Sequence, residues 1–154
     1  MKIYQVDAFT DTPFYGNPAG VCILEHPAED EWMKAVAREM NLSETAFLHP
    51  EGDGYRLRWF TPAVEVKLCG HATLASAFML YHLDLVEPEA PVHFYTLSGQ
   101  LTASRRIGEW IALDFPAQMS HAAEPPMALL RALGVHRPRY TGKNANNDFL
   151  IEME

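Results

Sequence analysis

Two short stretches of this chain gather residue types that move protons or hold anions. The first is Asn41-Leu42-Ser43-Glu44-Thr45-Ala46-Phe47. Glu44 follows a hydroxyl and precedes Ala46, Phe47 and Leu48. A carboxylate in apolar surroundings loses solvation, which raises its pKa toward the range useful for proton transfer. The plainer reading is that Ser43 and Glu44 cap a strand, or that Glu44 pairs with an arginine. The second stretch is Cys69-Gly70-His71-Ala72-Thr73, which opens the longest apolar run of the chain. A helix starting there would present unpaired N–H groups and a partial positive charge. Such an end binds carboxylates or phosphates without a basic patch, and Gly70 lets a ligand approach the backbone closely. His71 either shuttles a proton near neutral pH or caps the helix. Cys69 is either a thiolate base, its pKa lowered by the helix end, or a small buried hydrophobe.

A third stretch, Gly16-Asn17-Pro18-Ala19-Gly20, has the make-up of a ligand-facing turn, although these are ordinary turn residues. The other histidines show no ligand-like spacing. Neither GxGxxG, Walker A, GxSxG nor HExxH occurs, which weighs against nucleotide, serine-hydrolase and zincin chemistry. The two cysteines, Cys22 and Cys69, form no CxxC or Cys/His pattern, so no metal site is expected.

These residues need elements to carry them. Lys2 to Phe9 alternates as a strand, and Ala19 to Leu24 reads as a second. A helix is predicted from Pro27–Asp30 to about Met40, with Trp32, Val36 and Met40 on its apolar face and Asn41 ending it. Ser43–His49 and Tyr55–Thr61 are predicted strands, joined through Gly52-Asp53-Gly54. Ala72 to Leu85 is apolar on nearly every side, which predicts a central helix buried all round. Val92–Leu97 and Gln100–Ile107 form a hairpin about Ser98-Gly99, followed by a strand from Trp110 to Phe115. A short helix from Pro125 to Leu133 takes Gly134 as its C-cap. Strands at 139–141 and 149–153 close the chain. The order is that of an α+β fold rather than a regular βαβ alternation.

Composition narrows the function classes. Of 154 residues, 48% are hydrophobic and 21% charged, enough to pack a core and to exclude wholesale disorder. A net charge of −8 with no Lys/Arg run argues against a nucleic-acid partner. No run approaches the roughly 20 apolar residues of a membrane helix. The N-terminus reads as a strand rather than a secretory leader, which makes the cytoplasm the expected compartment.

Taken as a set, several motifs resemble the phenazine-biosynthesis PhzF-like family. They are Asp7-Ala8-Phe9-Thr10, Gly16-Asn17-Pro18-Ala19-Gly20-Val21, Asn41 to Phe47, Arg58-Trp59-Phe60-Thr61-Pro62, Glu65-Val66, and Cys69-Gly70-His71-Ala72-Thr73-Leu74-Ala75. Thr96-Leu97-Ser98-Gly99 and Leu113-Asp114-Phe115-Pro116 continue the match. The resemblance implies a diaminopimelate epimerase-like fold: two similar lobes, each a strongly curved sheet around a central helix, with the active site between them. Glu44 matches the family's acid/base glutamate, which in the best-known member moves a proton within a small cyclic dienoic amino acid. The implied reaction is a cofactor-free isomerisation of a small carboxylate-bearing substrate. His71 matches the family's histidine near the substrate. The backbone of Gly70, Ala72 and Thr73 would hold the substrate anion, and Asn17 and Ser43 complete the expected substrate-binding set.

Racemases of the same fold use two thiols, the first just before a Gly-His or Gly-Asn pair. Cys69-Gly70-His71 looks like that arrangement too, but this sequence offers no second-lobe cysteine. A thiol-dependent racemase or epimerase using Cys69 is therefore the alternative. Set against the family, residues 1–154 read as a single N-terminal-type lobe without the second. A lobe alone exposes the apolar face that its partner would cover. The expectation is a homo-oligomer formed through that face, or a non-catalytic lobe that only binds or self-associates.

Overall fold

A computed structural model describes residues 2–153, and the chain divides into two compact units, Met1–Phe115 and Pro116–Glu154. The first unit carries both chemical stretches. Its strands are β1 (Ile3–Ala8), β2 (Asn17–Ile23), β3 (Thr45–Glu51), β4 (Gly54–Phe60), β5 (Glu65–Val66), β6 (Val92–Thr96), β7 (Gly99–Arg105) and β8 (Ile111–Asp114). Two α-helices interrupt them, α1 (Asp30–Met40) and α2 (Gly70–His82), and a single 3-10 turn (Ile107–Glu109) precedes β8. The eight strands form one sheet in the order β1-β2-β3-β4-β6-β7-β8, with β5 paired to β4.

Two strand pairs are parallel, β2 with β3 and β4 with β6, and each needs a helical crossover. β3 and β4 run antiparallel, so the two crossovers cross the sheet in one direction from strands pointing opposite ways. Right-handed connections then put α1 and α2 on opposite faces. The packing agrees. Met33 and Ala37 of α1 bury against Cys22, Phe47 and Phe60 on the outer face. The inner face, with Val21, Ala46, Leu48, Leu57, Trp59, Val92, Phe94, Leu101 and Ala103, closes on α2. α2 touches β1, β2 and β3 and also β8 at the far edge. The sheet therefore curls around the helix, as the α+β epimerase-like reading requires.

Several sequence expectations shift in detail. The buried stripe of α1 is Met33 and Ala37, one position on from the predicted Trp32–Val36–Met40 face. Trp32 stands at the rim instead, edge-on to Phe47 at 5.9 Å. Asn41 does end α1, in the left-handed region at φ 51, with its N–H on the Ala37 carbonyl. α2 stops at His82 rather than Leu85 and is not buried on every side. Phe78 is 45% exposed and stacks on His82. The hairpin loop is Leu97-Ser98, with Gly99 at φ 94 opening β7.

The second unit holds β9 (His121–Ala122), α3 (Met127–Ala132), β10 (Tyr140–Lys143) and β11 (Phe149–Glu152), paired in the order β11-β10-β9. Gly134, at φ 67, follows α3 as expected. Its N–H meets the Arg131 carbonyl and that of Val135 meets Leu130, a Schellman closure. Among the described residues, no helix is long and apolar enough to cross a membrane.

One glycine of the sheet is required sterically. A Cβ at Gly54 would lie 2.2 Å from the His93 carbonyl oxygen, a backbone atom with nowhere to go. Gly54→Ala should therefore destabilise the chain by about 1–3 kcal/mol in urea titrations, the cost of a forced backbone shift. A midpoint unchanged from the parent would contradict this close approach.

Candidate active site

The carboxylate of the first stretch meets the helix start of the second because of strand parity. Ala46 and Leu48 of β3 point inward to α2, and side chains alternate along a strand. Glu44, two positions before Ala46, continues the inward series. Its carbonyl accepts the Gly20 N–H at 3.2 Å, which ties it to β2. Gly20 is needed here, since a Cβ would lie 2.9 Å from Thr45 Oγ1.

α2 begins at the same end of the sheet, after β5. Cys69 holds the N-cap position in extended conformation, so His71 is not the cap. His71 is instead a buried bridge, 8% exposed. Its Nε2 lies 3.4 Å from Glu44 Oε2 and 3.3 Å from Ser43 Oγ. Its Nδ1 lies 3.3 Å from Cys69 Sγ. Among the described residues the ion-pair partner of Glu44 is His71 and not an arginine, as one plain reading of the sequence had it. Arg56 is held by Glu51, and Arg58 by Glu65 and Asp30.

Burial pushes the Cys69 thiol up to about 11, the Ala72 N–H pulls it down, and the nearby Glu44 carboxylate adds to the rise. Desolvation thus overrides the helix end, which favours the buried-hydrophobe reading of Cys69 over the thiolate one. The thiol is protonated at neutral pH. A consistent hydrogen arrangement follows: Cys69 S–H faces Nδ1, and the Nε2–H of His71 donates toward Glu44 and Ser43.

The remaining expected residues fall in different places. Gly70 is partly exposed at the helix start. A Cβ there would meet only the Phe115 ring, at 3.9 Å, so the fold itself does not demand glycine. Phe115 forms one side of this corner, a residue the sequence offered only as part of a motif. Ala72 and Thr73 are fully buried. Thr73 sends both its hydroxyl, at 2.6 Å, and its N–H, at 3.2 Å, to the Cys69 carbonyl. The first-turn N–H groups without a carbonyl four residues back inside α2 are therefore those of Gly70, His71 and Ala72. Asn17 is exposed at the start of β2, opposite Ala8. It shares the sheet end of Glu44 but stands outside the Glu44–His71–Cys69 cluster.

Residues 6–143 match the family model for phenazine biosynthesis-like proteins, PhzC-PhzF. The chain belongs to this family. It is 58% identical over 153 residues to a protein named as an uncharacterized isomerase of Halalkalibacterium halodurans, covering 99% of this chain and 57% of that one. A crystal structure of a PhzF-family protein from Enterococcus faecalis matches with a TM-score of 0.84 and 39% identity, over 99% of this chain and 56% of that one. A predicted epimerase of Pseudomonas aeruginosa matches with a TM-score of 0.70 and 26% identity, over 86% of this chain and 48% of that one. The chain spans about half the length of the curated relatives it matches. Family membership and the epimerase-like fold therefore agree with the resemblance read from the motifs.

A thiol with a pKa near 11 carries ~300-fold less thiolate at pH 7 than a free cysteine of pKa ~8.5. Because the folded thiol holds its proton more tightly, its stabilising effect is full below pH ~8.5 and is lost as pH rises toward 11. In a Cys22→Ala background, iodoacetamide labelling of Cys69 should keep climbing about tenfold per pH unit between pH 8 and 10. Intact-mass time courses measure this, and a plateau above pH 9 would show an ordinary thiol.

Proposed function

We infer that this chain carries the general acid/base half of a cofactor-free isomerase acting on a small carboxylate-bearing substrate. The observation that carries the reading is the 3.4 Å approach of the Glu44 carboxylate to the buried His71 imidazole, at the first turn of α2. In this mechanism the substrate carboxylate sits on the N–H groups that open α2, where the helix end favours negative charge. Glu44 takes a proton from carbon and returns it to another carbon. His71 donates Nε2–H toward Glu44 and settles the charge on whichever oxygen is anionic at that moment. Ser43 and Asn17 line the approach from the same sheet end.

Replacing Glu44 with Gln keeps shape and removes the base. Deuterium uptake from D2O into a panel of amino acids and cyclic carboxylates, followed by mass spectrometry, should fall about 10²–10⁴-fold in Glu44→Gln. The far-ultraviolet spectrum should be unchanged. Uptake that survives in a folded Glu44→Gln chain would falsify the assignment.

The thiol racemase reading is favoured by one observation, a Cys69 sulfur within 4.8 Å of the Glu44 and His71 ligating atoms. With its proton in place, Cys69 would serve as the acid opposite Glu44 rather than as a base. Full activity in Cys69→Ser removes that reading and leaves the first intact.

Phe9, Phe14 and Tyr15 follow β1, and Val64 follows β4; all are exposed at the sheet end that holds Glu44. A second lobe or a second copy of the chain would bury them. Light scattering at micromolar concentration should therefore show a dimer or larger species, and a clean monomer counts against self-association.

A further inference from the structure

We propose that Glu44, Cys69 and His71 form a three-ligand site for one soft divalent cation of the zinc class, with the fourth position open. This goes beyond the proton-transfer reading and does not depend on it. One ligating atom from each residue lies within 4.8 Å of the other two. Thiolate sulfur, imidazole nitrogen and carboxylate oxygen together are a donor set that zinc, cobalt and cadmium accept. Bond lengths of ~2.3 Å to sulfur and ~2.0 Å to nitrogen in a tetrahedron set sulfur and nitrogen about 3.5 Å apart. Cys69 Sγ and His71 Nδ1 stand at 3.3 Å, so this pair is already spaced for an ion, while Glu44, whose Oε2 stands 3.4 Å from His71 Nε2, turns toward it on binding.

The site is also built around its ligands. Cys69 and His71 are 7% and 8% exposed and held by the first turn of α2. Glu44 is more open, with its side chain 20% exposed, and gives the ion its way in. With Nδ1 on the metal, Nε2–H faces Ser43 Oγ at 3.3 Å, the outer hydrogen bond that orients a ligating histidine. Binding breaks the Cys69 S–H bond, forms the sulfur–metal bond and releases the proton to water, with no change of oxidation state. The consequence is reversible occlusion: a bound cation occupies the carboxylate that the isomerase reading needs as its base.

The test uses the reduced, chelator-treated chain and Co²⁺, whose thiolate charge-transfer absorption reports sulfur ligation directly. One Co²⁺ per chain should bind with that band, and Zn²⁺ should bleach it. Cys69→Ser should abolish the band, whereas Glu44→Gln and His71→Asn should each weaken binding tenfold or more. Cys22→Ala should leave it unchanged. Absence of the band in the parent chain overturns the site, as does its survival in Cys69→Ser or its loss in Cys22→Ala. If Cys69→Ser does not fold, Glu44→Gln decides, since undiminished Co²⁺ affinity there overturns the site. Co²⁺ binding by the loaded chain, with no deuterium uptake by the metal-free chain, would leave the metal site standing and sink the proton-transfer reading. Uptake without Co²⁺ binding would do the reverse.

Discussion

The structure of the first unit rests on one arrangement: α2 is enclosed by a sheet that curls past it, while the first turn of the helix remains at the rim. Enclosure explains the apolar composition of the helix from Ala72 onward. It also sets the electrostatics of the site. A helix end in water has its partial charge screened, but one at the edge of a packed core keeps it. The same enclosure removes water from Cys69, and that loss outweighs the helix end's pull on the thiol. One physical cause thus leaves an unscreened helix end and a protonated sulfur side by side.

The two crossovers are the second constraint. Because β2 and β3 point one way and β4 and β6 the other, right-handed connections place α1 outside and α2 inside. The outer helix has the lighter task. It covers Cys22, Phe47 and Phe60 with a narrow stripe of Met33 and Ala37. The inner helix takes the larger share of the core, and its first turn meets Glu44.

Much of this was legible in the residues. The long apolar run announced an enclosed helix, and Glu44 and His71 stood out by their neighbours. Their proximity was not legible, because Ser43 and His71 are 28 positions apart and meet only through sheet order. Local periodicity also misplaced the face of α1. Trp32 is apolar enough to count toward a buried stripe, yet its large ring lies edge-on at the rim, while small Ala37 fits beneath. Likewise the sequence left Cys69 open between a thiolate at a helix end and a buried thiol, since burial depends on the whole curl and on no local pattern.

The inward series Glu44, Ala46, Leu48 makes the position of the carboxylate a matter of counting. Asn41 closes α1 and β3 begins at Thr45, so a three-residue connection carries Glu44 onto the inner face. Adding or removing one residue beside Glu44, with β3 kept in register, would break the alternation and turn a different side chain toward α2. On the proposed role of Glu44, the length of that short connection is set by where the carboxylate must stand, and a change there would move this carboxylate without altering any residue of β3.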